Sequence, residues 1–407
     1  MNERFQRWAP RAGLLAASAA LMFCFGTVNA QNNPAASDMR PADVVDVEAR
    51  VPGDPVNRVY VYDTVFAHLT DSRLNIFDGT NGEFVGMLSN SFNGFAQMSK
   101  DQKQIWTSTS FYSRVPRGTR TDTIDIWDAN TLKHLKEIIV PPKRANALNY
   151  DGMFTRTNDG QFALLQNATP ATSVTVADMQ KGVVTQEITA TAGCWNVITT
   201  PGAPRSFTTI CGDGSLLTVK LGADGKLASQ SRSKPMFSVK DDPVFINAAT
   251  WNNKLIFVSF HGNIYTADMD ANGVKSFEPV WSILSEKDKA AKWAPGGFNL
   301  IAANPANGYL YVLMHPDAVE GSHKNPAKEI RVYDLKTKKE IGSVPGEDVL
   351  SLAVNLATPT PQLLTIDGAN AHIYDISSAQ PKLVRTIKNA GEAALQLFGP
   401  TGVVLTK

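Results

Sequence analysis

Cysteine is scarce in this 407-residue chain: Cys24, Cys194 and Cys211 are its only three. The last two thiols cannot by themselves complete a structural zinc site, and they are not spaced as a C-x-x-C redox pair. An excess of one charge is also missing, with 39 Lys and Arg against 38 Asp and Glu and no basic block. That balance argues against nucleic acid as the partner. No G-x-S-x-G elbow, H-E-x-x-H helix or Walker-type glycine loop occurs, so common hydrolase, metalloprotease and phosphate-cradling signatures are absent. Beyond Val28, no apolar run is long enough to span a bilayer.

The first thirty residues have their own pattern. Arg4, Arg7 and Arg11 precede an uncharged, mostly apolar run from Ala12 to Val28, and small residues lead to Ala30. This is the form of a cleaved secretory signal, which places the mature start near Gln31 and the protein outside the cytoplasm. Residues 31–54 are polar with Pro and Ala and are expected to form an N-terminal arm. Removing residues 1–30 leaves 36 basic and 37 acidic residues, and takes Cys24 with it. In an exported chain the remaining pair, Cys194 and Cys211, most simply forms one disulfide.

What the chain has in abundance is one repeated phrase. "LNIFDGTNGEFVGML", "IDIWDANTLKHLKEI", "VTVADMQKGVVTQEI" and "IRVYDLKTKKEIGSV" each run from a β-rich segment through Asp and a polar turn to a second β-rich segment. The strand-ending position is tracked by Asp78, Asp128, Asp178, Lys220, Asp268, Asp334 and Asp375, at intervals of 50, 50, 42, 48, 66 and 41 residues. Three or four short strands per unit, repeated seven times, predict an all-β, seven-bladed β-propeller over residues 55–407. The aspartates are expected to accept turn N–H groups rather than act as catalytic acids. The C-terminal "LQLFGPTGVVLTK" is expected to lend strands to the blade containing "RVYVYD". The longest interval holds "SEKDKAAKW", where Ser285 and Asp288 predict a capping box opening one short helix.

Candidate chemistry is thin. His315, Asp317, Glu320 and His323 share one loop, but their spacing matches no ligand motif and no metal is expected there. Arg114, Arg117 and Arg120 form the densest positive patch, either a docking surface or a solvated loop. Phe92 and Phe95 sit in a polar connection between blades, where aromatics can line a central face.

The connecting loops carry a resemblance. "HLTDSRLNIFDGTNGEFVGM", "SRVPRGTRTDTIDIWDA", "ALNYDGMF", "AGCWNVI", "FTTICGDGSLLTV" and "DKAAKWAPGGFNL" together resemble the heavy chain of quinoprotein amine dehydrogenases, from about Arg58 onward. The likeness leans toward the aromatic (aralkylamine) branch, with methylamine dehydrogenase as the alternative. It implies a non-catalytic heavy subunit in a periplasmic α2β2 heterotetramer. The small light chain would carry tryptophan tryptophylquinone, and electrons would pass to a blue copper protein such as azurin or amicyanin. Phe92 then matches the position lining the substrate channel, with no catalytic residue on this chain, and Cys194–Cys211 matches the family disulfide. Around Phe95 the sequence departs from the family, which leaves the preferred amine open. Two further readings remain: a freestanding periplasmic ligand-binding propeller, and an enzyme with a metal on the propeller axis. The latter needs carboxylates converging with Asn or His, and no sequence spacing provides them.

Overall fold

The computed structural model describes residues 50–146 and 149–402. The expected signal and most of the arm lie outside those residues. What is described of the arm's end is held in place: Val51 is buried and its N–H donates to the carbonyl of Asn130. Arg58 reaches back to the Val51 carbonyl at 3.1 Å.

Seven antiparallel sheets follow one another along the chain, so the architecture is the expected seven-bladed propeller. Blade two is typical. Its strands Phe92–Met98, Gln104–Tyr112, Arg120–Asp128 and His134–Val140 pair in sequence order from the axis outward. Blade one is closed by both chain ends, because Ala394–Phe398 pairs with Arg58–Asp63 and forms its innermost strand. The aromatic rings of Tyr60 and Phe398 stack there at 5.4 Å.

Sequence texture explains where each strand sits. Middle strands lie between two neighbouring blades and need apolar residues on both faces. Tyr309–His315 is accordingly buried at every position after its first. Outermost strands meet water, and Leu227–Arg232 is exposed along its whole length. The apolar clusters lie between blades rather than inside them: one joins blades two and three, another blades three and four. Each fully buried Leu, Ile or Phe there contributes roughly 1.5–3 kcal/mol, which a lone blade would forgo. That is why the unit must repeat.

The repeat aspartates are turn residues. Asp128 accepts the N–H groups of Asn130 and Thr131 at 2.9 and 2.8 Å, and Asp178 those of Gln180 and Lys181 at 3.1 and 2.9 Å. In blade five the landmark needs correction. The third strand runs on to Asp270, and it is Asp270, not Asp268, that accepts the turn N–H of Asn272. The short helix is Glu286–Ala290, with Ser285 and Asp288 forming the expected capping box. Cys194 and Cys211 are directly opposed on the first two strands of blade four and form the disulfide. No helix among the described residues is long and apolar enough to cross a membrane.

Candidate functional site

A propeller of this topology has two unlike faces. The Asp turns gather on one, while the other is where the innermost strands begin. Phe92 is the first residue of the innermost strand of blade two, so it belongs to the second face. Pairing of Phe92 with Ser110 brings the hairpin between Tyr112 and Arg120 to the same face.

The Phe92 segment is sharply shaped. Ser91 and Asn93, on either side, both have left-handed backbones with φ of 44° and 39°, and the register slips between Phe92 and Phe95. Next to it, a Cβ on Gly94 would lie 2.1 Å from the Tyr62 hydroxyl, so only glycine fits. A backbone bent this way costs free energy of order 1–3 kcal/mol per strained residue and needs surrounding structure to hold it. Arg144 supplies that hold. Its Nη2 donates to the carbonyls of both Phe92 and Asn93 at 2.7 Å, and its Nε donates to Ser110 Oγ at 2.9 Å. The guanidinium also lies 5.4 Å from the centre of the Phe95 ring.

The charge of Arg144 is balanced beneath the loop by Asp122, which is fully buried. Asp122 accepts from the Arg144 backbone N–H at 3.1 Å, from Ser110 at 2.7 Å, and from the Arg120 guanidinium at 2.6 and 2.7 Å. Burial lowers the Arg144 pKa to about 10 and the neighbouring Asp122 works the other way, so the cation persists at neutral pH. Phe92 itself is half-buried, and its ring meets Tyr112 edge-on at 5.6 Å. The result is an aromatic pair on a rigid base, offering one partly open apolar face.

The other sequence candidates are dispersed. Of the three arginines, Arg120 is committed to Asp122 and to the Arg144 carbonyl, while Arg114 and Arg117 stay exposed at the hairpin tip. His315 is buried with Nδ1 near the Pro316 carbonyl, whereas Asp317, Glu320 and His323 spread along the loop. Among the described residues, no three His, Cys, Asp or Glu side chains gather to hold a metal.

A second feature occupies the axis, a cavity of about 570 Å³. Asp151, Asn196 and Asn247 line it near the face where the innermost strands begin; Lys100, Arg156 and Asn158 line it toward the other. Burial raises the Asp151 pKa to about 7, although a hydrogen bond from Gln396 opposes the shift. Phe92 does not line this cavity. Its loop nevertheless connects to the axis, because Asn149 Nδ2 donates to the Gly94 carbonyl at 2.6 Å while the Asn149 carbonyl accepts from Asn299 at 2.9 Å. Sequence reasoning missed Arg144, Asp122 and Asp151. A lone arginine in the connection "PPKRANALNY" was the one available signal.

Known proteins resemble this chain along most of its length. The methylamine dehydrogenase heavy chain from Methylobacillus flagellatus is 26% identical over 354 residues, covering 86% of each chain. That from Methylorubrum extorquens is 27% identical over 391 residues, covering 94% of this chain and 92% of its relative. Among solved structures, a functionally unknown protein from Desulfotomaculum acetoxidans superposes with a TM-score of 0.55 at 13% identity, covering 83% of this chain and 98% of that one. A candidate 6-phosphogluconolactonase from Bacteroides uniformis gives 0.57 at 11% identity, covering 84% and 98%. Those two likenesses show the propeller fold alone. The family described as methylamine dehydrogenase heavy chain (MADH) matches residues 55–397, nearly all of the propeller, and the chain belongs to that family.

Proposed function

We propose that this chain is the heavy subunit of a periplasmic amine dehydrogenase, supporting a quinone-bearing light chain on the face that carries Phe92. The observation that carries this reading is the family match across residues 55–397. In this reading the light chain's quinone, tryptophan tryptophylquinone, would supply the electrophilic carbonyl and take up two electrons. The Phe92 platform fits a supporting role. Its aromatic face makes no polar demand, and Arg144 fixes the backbone beneath it, so Phe92 can bound an amine pocket and keep water from it.

For the substrate, the named relatives favour methylamine or a similarly small primary amine. The aromatic-amine reading rests on the resemblance of the connecting loops alone. Electron delivery to a blue copper protein and an α2β2 assembly belong to the same proposal. Native purification followed by amine-dependent dye reduction tests it. A complex with a small quinone-bearing chain that turns over methylamine supports the main reading. Preference for phenylethylamine or tyramine transfers it to the aromatic branch. A lone chain without chromophore or activity would overturn both and favour a freestanding binding propeller.

A further inference from the structure

The innermost strands of four blades bring a set of oxygen acceptors together at one end of the axial cavity, and their hydrogen bonds fix which way each amide points. Asn299 donates from Nδ2 to two backbone carbonyls, Asn149 at 2.9 Å and Leu395 at 3.0 Å, so its Oδ1 must be an acceptor. That single oxygen receives the Asp151 N–H at 3.1 Å and Asn247 Nδ2 at 2.8 Å. The Asn247 amide is thereby oriented, and its Oδ1 is left without a partner.

The same holds next door. Asn196 spends its Nδ2 on the Ile246 carbonyl at 2.8 Å, and its Oδ1 is likewise unpartnered. This amide lies directly against Gly152, where a Cβ would sit 2.1 Å from Asn196 Oδ1. Gln396 gives its Nε2 to Asp151 at 3.1 Å and leaves Oε1 unpartnered. Asn196, Asn247 and Gln396 are only 2%, 5% and 1% exposed. Three buried carbonyl-type oxygens without donors are costly, each by the desolvation penalty of an unmade hydrogen bond. Asn196 and Asn247 line the same axial cavity as the Asp151 carboxylate, Gln396 bonds to it, and no basic side chain among the described residues does.

We propose that Asp151, Asn196 and Asn247, with Gln396 beside them, form a cation site on the propeller axis that takes a hard, oxygen-ligated ion of the Ca2+ class. The donor set is all oxygen, with one carboxylate and neutral amide oxygens, which suits a hard cation and offers nothing to a soft one. The basic side chains of the cavity, Lys100 and Arg156, line its other end, and Arg156 gives Nε to the Met98 carbonyl at 3.1 Å. Only one of the ligands is acidic, and they come from blades one, three, four and five, so no local sequence motif marks the site. It does not depend on the proposed enzymatic role.

The test uses the purified full chain, with its light chain where the two travel together. After treatment with EDTA, the protein is titrated with CaCl2, against choline chloride at matched ionic strength. Calorimetric binding at a stoichiometry of one per chain, in the range of about 10⁻⁴–10⁻³ M for a site with a single carboxylate, is expected. The melting temperature should rise by several degrees with it. Asp151→Asn and Asn247→Ala should each weaken binding at least tenfold, whereas Asp178→Asn, a carboxylate on the opposite face, should leave it unchanged. A response to NaCl alone keeps the site and reassigns its ion to a single charge. Absence of both heat and thermal shift with either salt in the wild-type protein would overturn the proposal, as would equal binding by Asp151→Asn.

Discussion

At the scale of single residues, the Phe92 loop separates two kinds of contribution. The Phe92 ring is partly open and its loss removes no buried polar group, so Phe92→Ala should leave the melting temperature within a degree or two. In the assembled enzyme the same change should raise KM for the amine and alter selectivity between methylamine and phenylethylamine. Steady-state kinetics with both amines checks this, and unchanged constants would remove Phe92 from the pocket. Arg144 behaves oppositely. Arg144→Ala strips donors from the Phe92 and Asn93 carbonyls and from Ser110 and leaves a void where a fully buried side chain stood, so unfolding stability should fall by roughly 3–5 kcal/mol. Arg144→Lys would rescue little of it, because one ammonium cannot reproduce a planar fork that spans Phe92, Asn93 and Ser110. Denaturant titration of both variants distinguishes the planar requirement from a requirement for charge alone.

At the scale of elements, much was legible because local chemistry decided it. The capping box at Ser285 and the Asp turns are satisfied within three residues of sequence. Blade five shows where legibility ends: its third strand continues two residues past Asp268, and nothing in "YTADMDANG" marks which Asp will meet the turn N–H. The Asp178 carboxyl lies below its ordinary pKa of 3.8; burial opposes this, but donors from Lys181 and Gln161 outweigh it. A folded-state pKa below the unfolded one contributes stability above about pH 4 that is lost as the pH falls through the folded value. Asp178→Ala should therefore cost about 1–2 kcal/mol at pH 7 and progressively less below pH 4, which acid titration of the two proteins would show. In the next blade, Cys194→Ser should lower stability by roughly 3 kcal/mol on the chain-entropy account of a loop of this size. Thermal unfolding with and without reductant tests it: reductant should bring the wild type down to the variant.

At the scale of the whole molecule, the fold was readable and the sites were not, for one physical reason. A blade repeats its own local grammar, whereas a ring places together residues that sequence keeps far apart. Arg144 and Phe92 are 52 positions apart, and Asp151 and Gln396 are 245 apart. The Phe92 platform is built by blade two and the connection after it, whereas closure of the ring completes the axial site, because Gln396 lies on the short closing strand, Ala394–Phe398, laid against Arg58–Asp63. Leu397 pairs with Val61 there and is 2% exposed. Leu397→Asp places a carboxylate in an apolar cluster shared by blades one and seven, at a cost of roughly 3–5 kcal/mol. If closure couples the blades, scanning calorimetry should show one transition moved down as a whole. Leu227→Asp, on an exposed outer strand, should stay within about 0.5 kcal/mol of wild type. A split transition in Leu397→Asp, with most of the heat still at the original temperature, would mean that blades unfold independently and that the axial site does not depend on the closing strand.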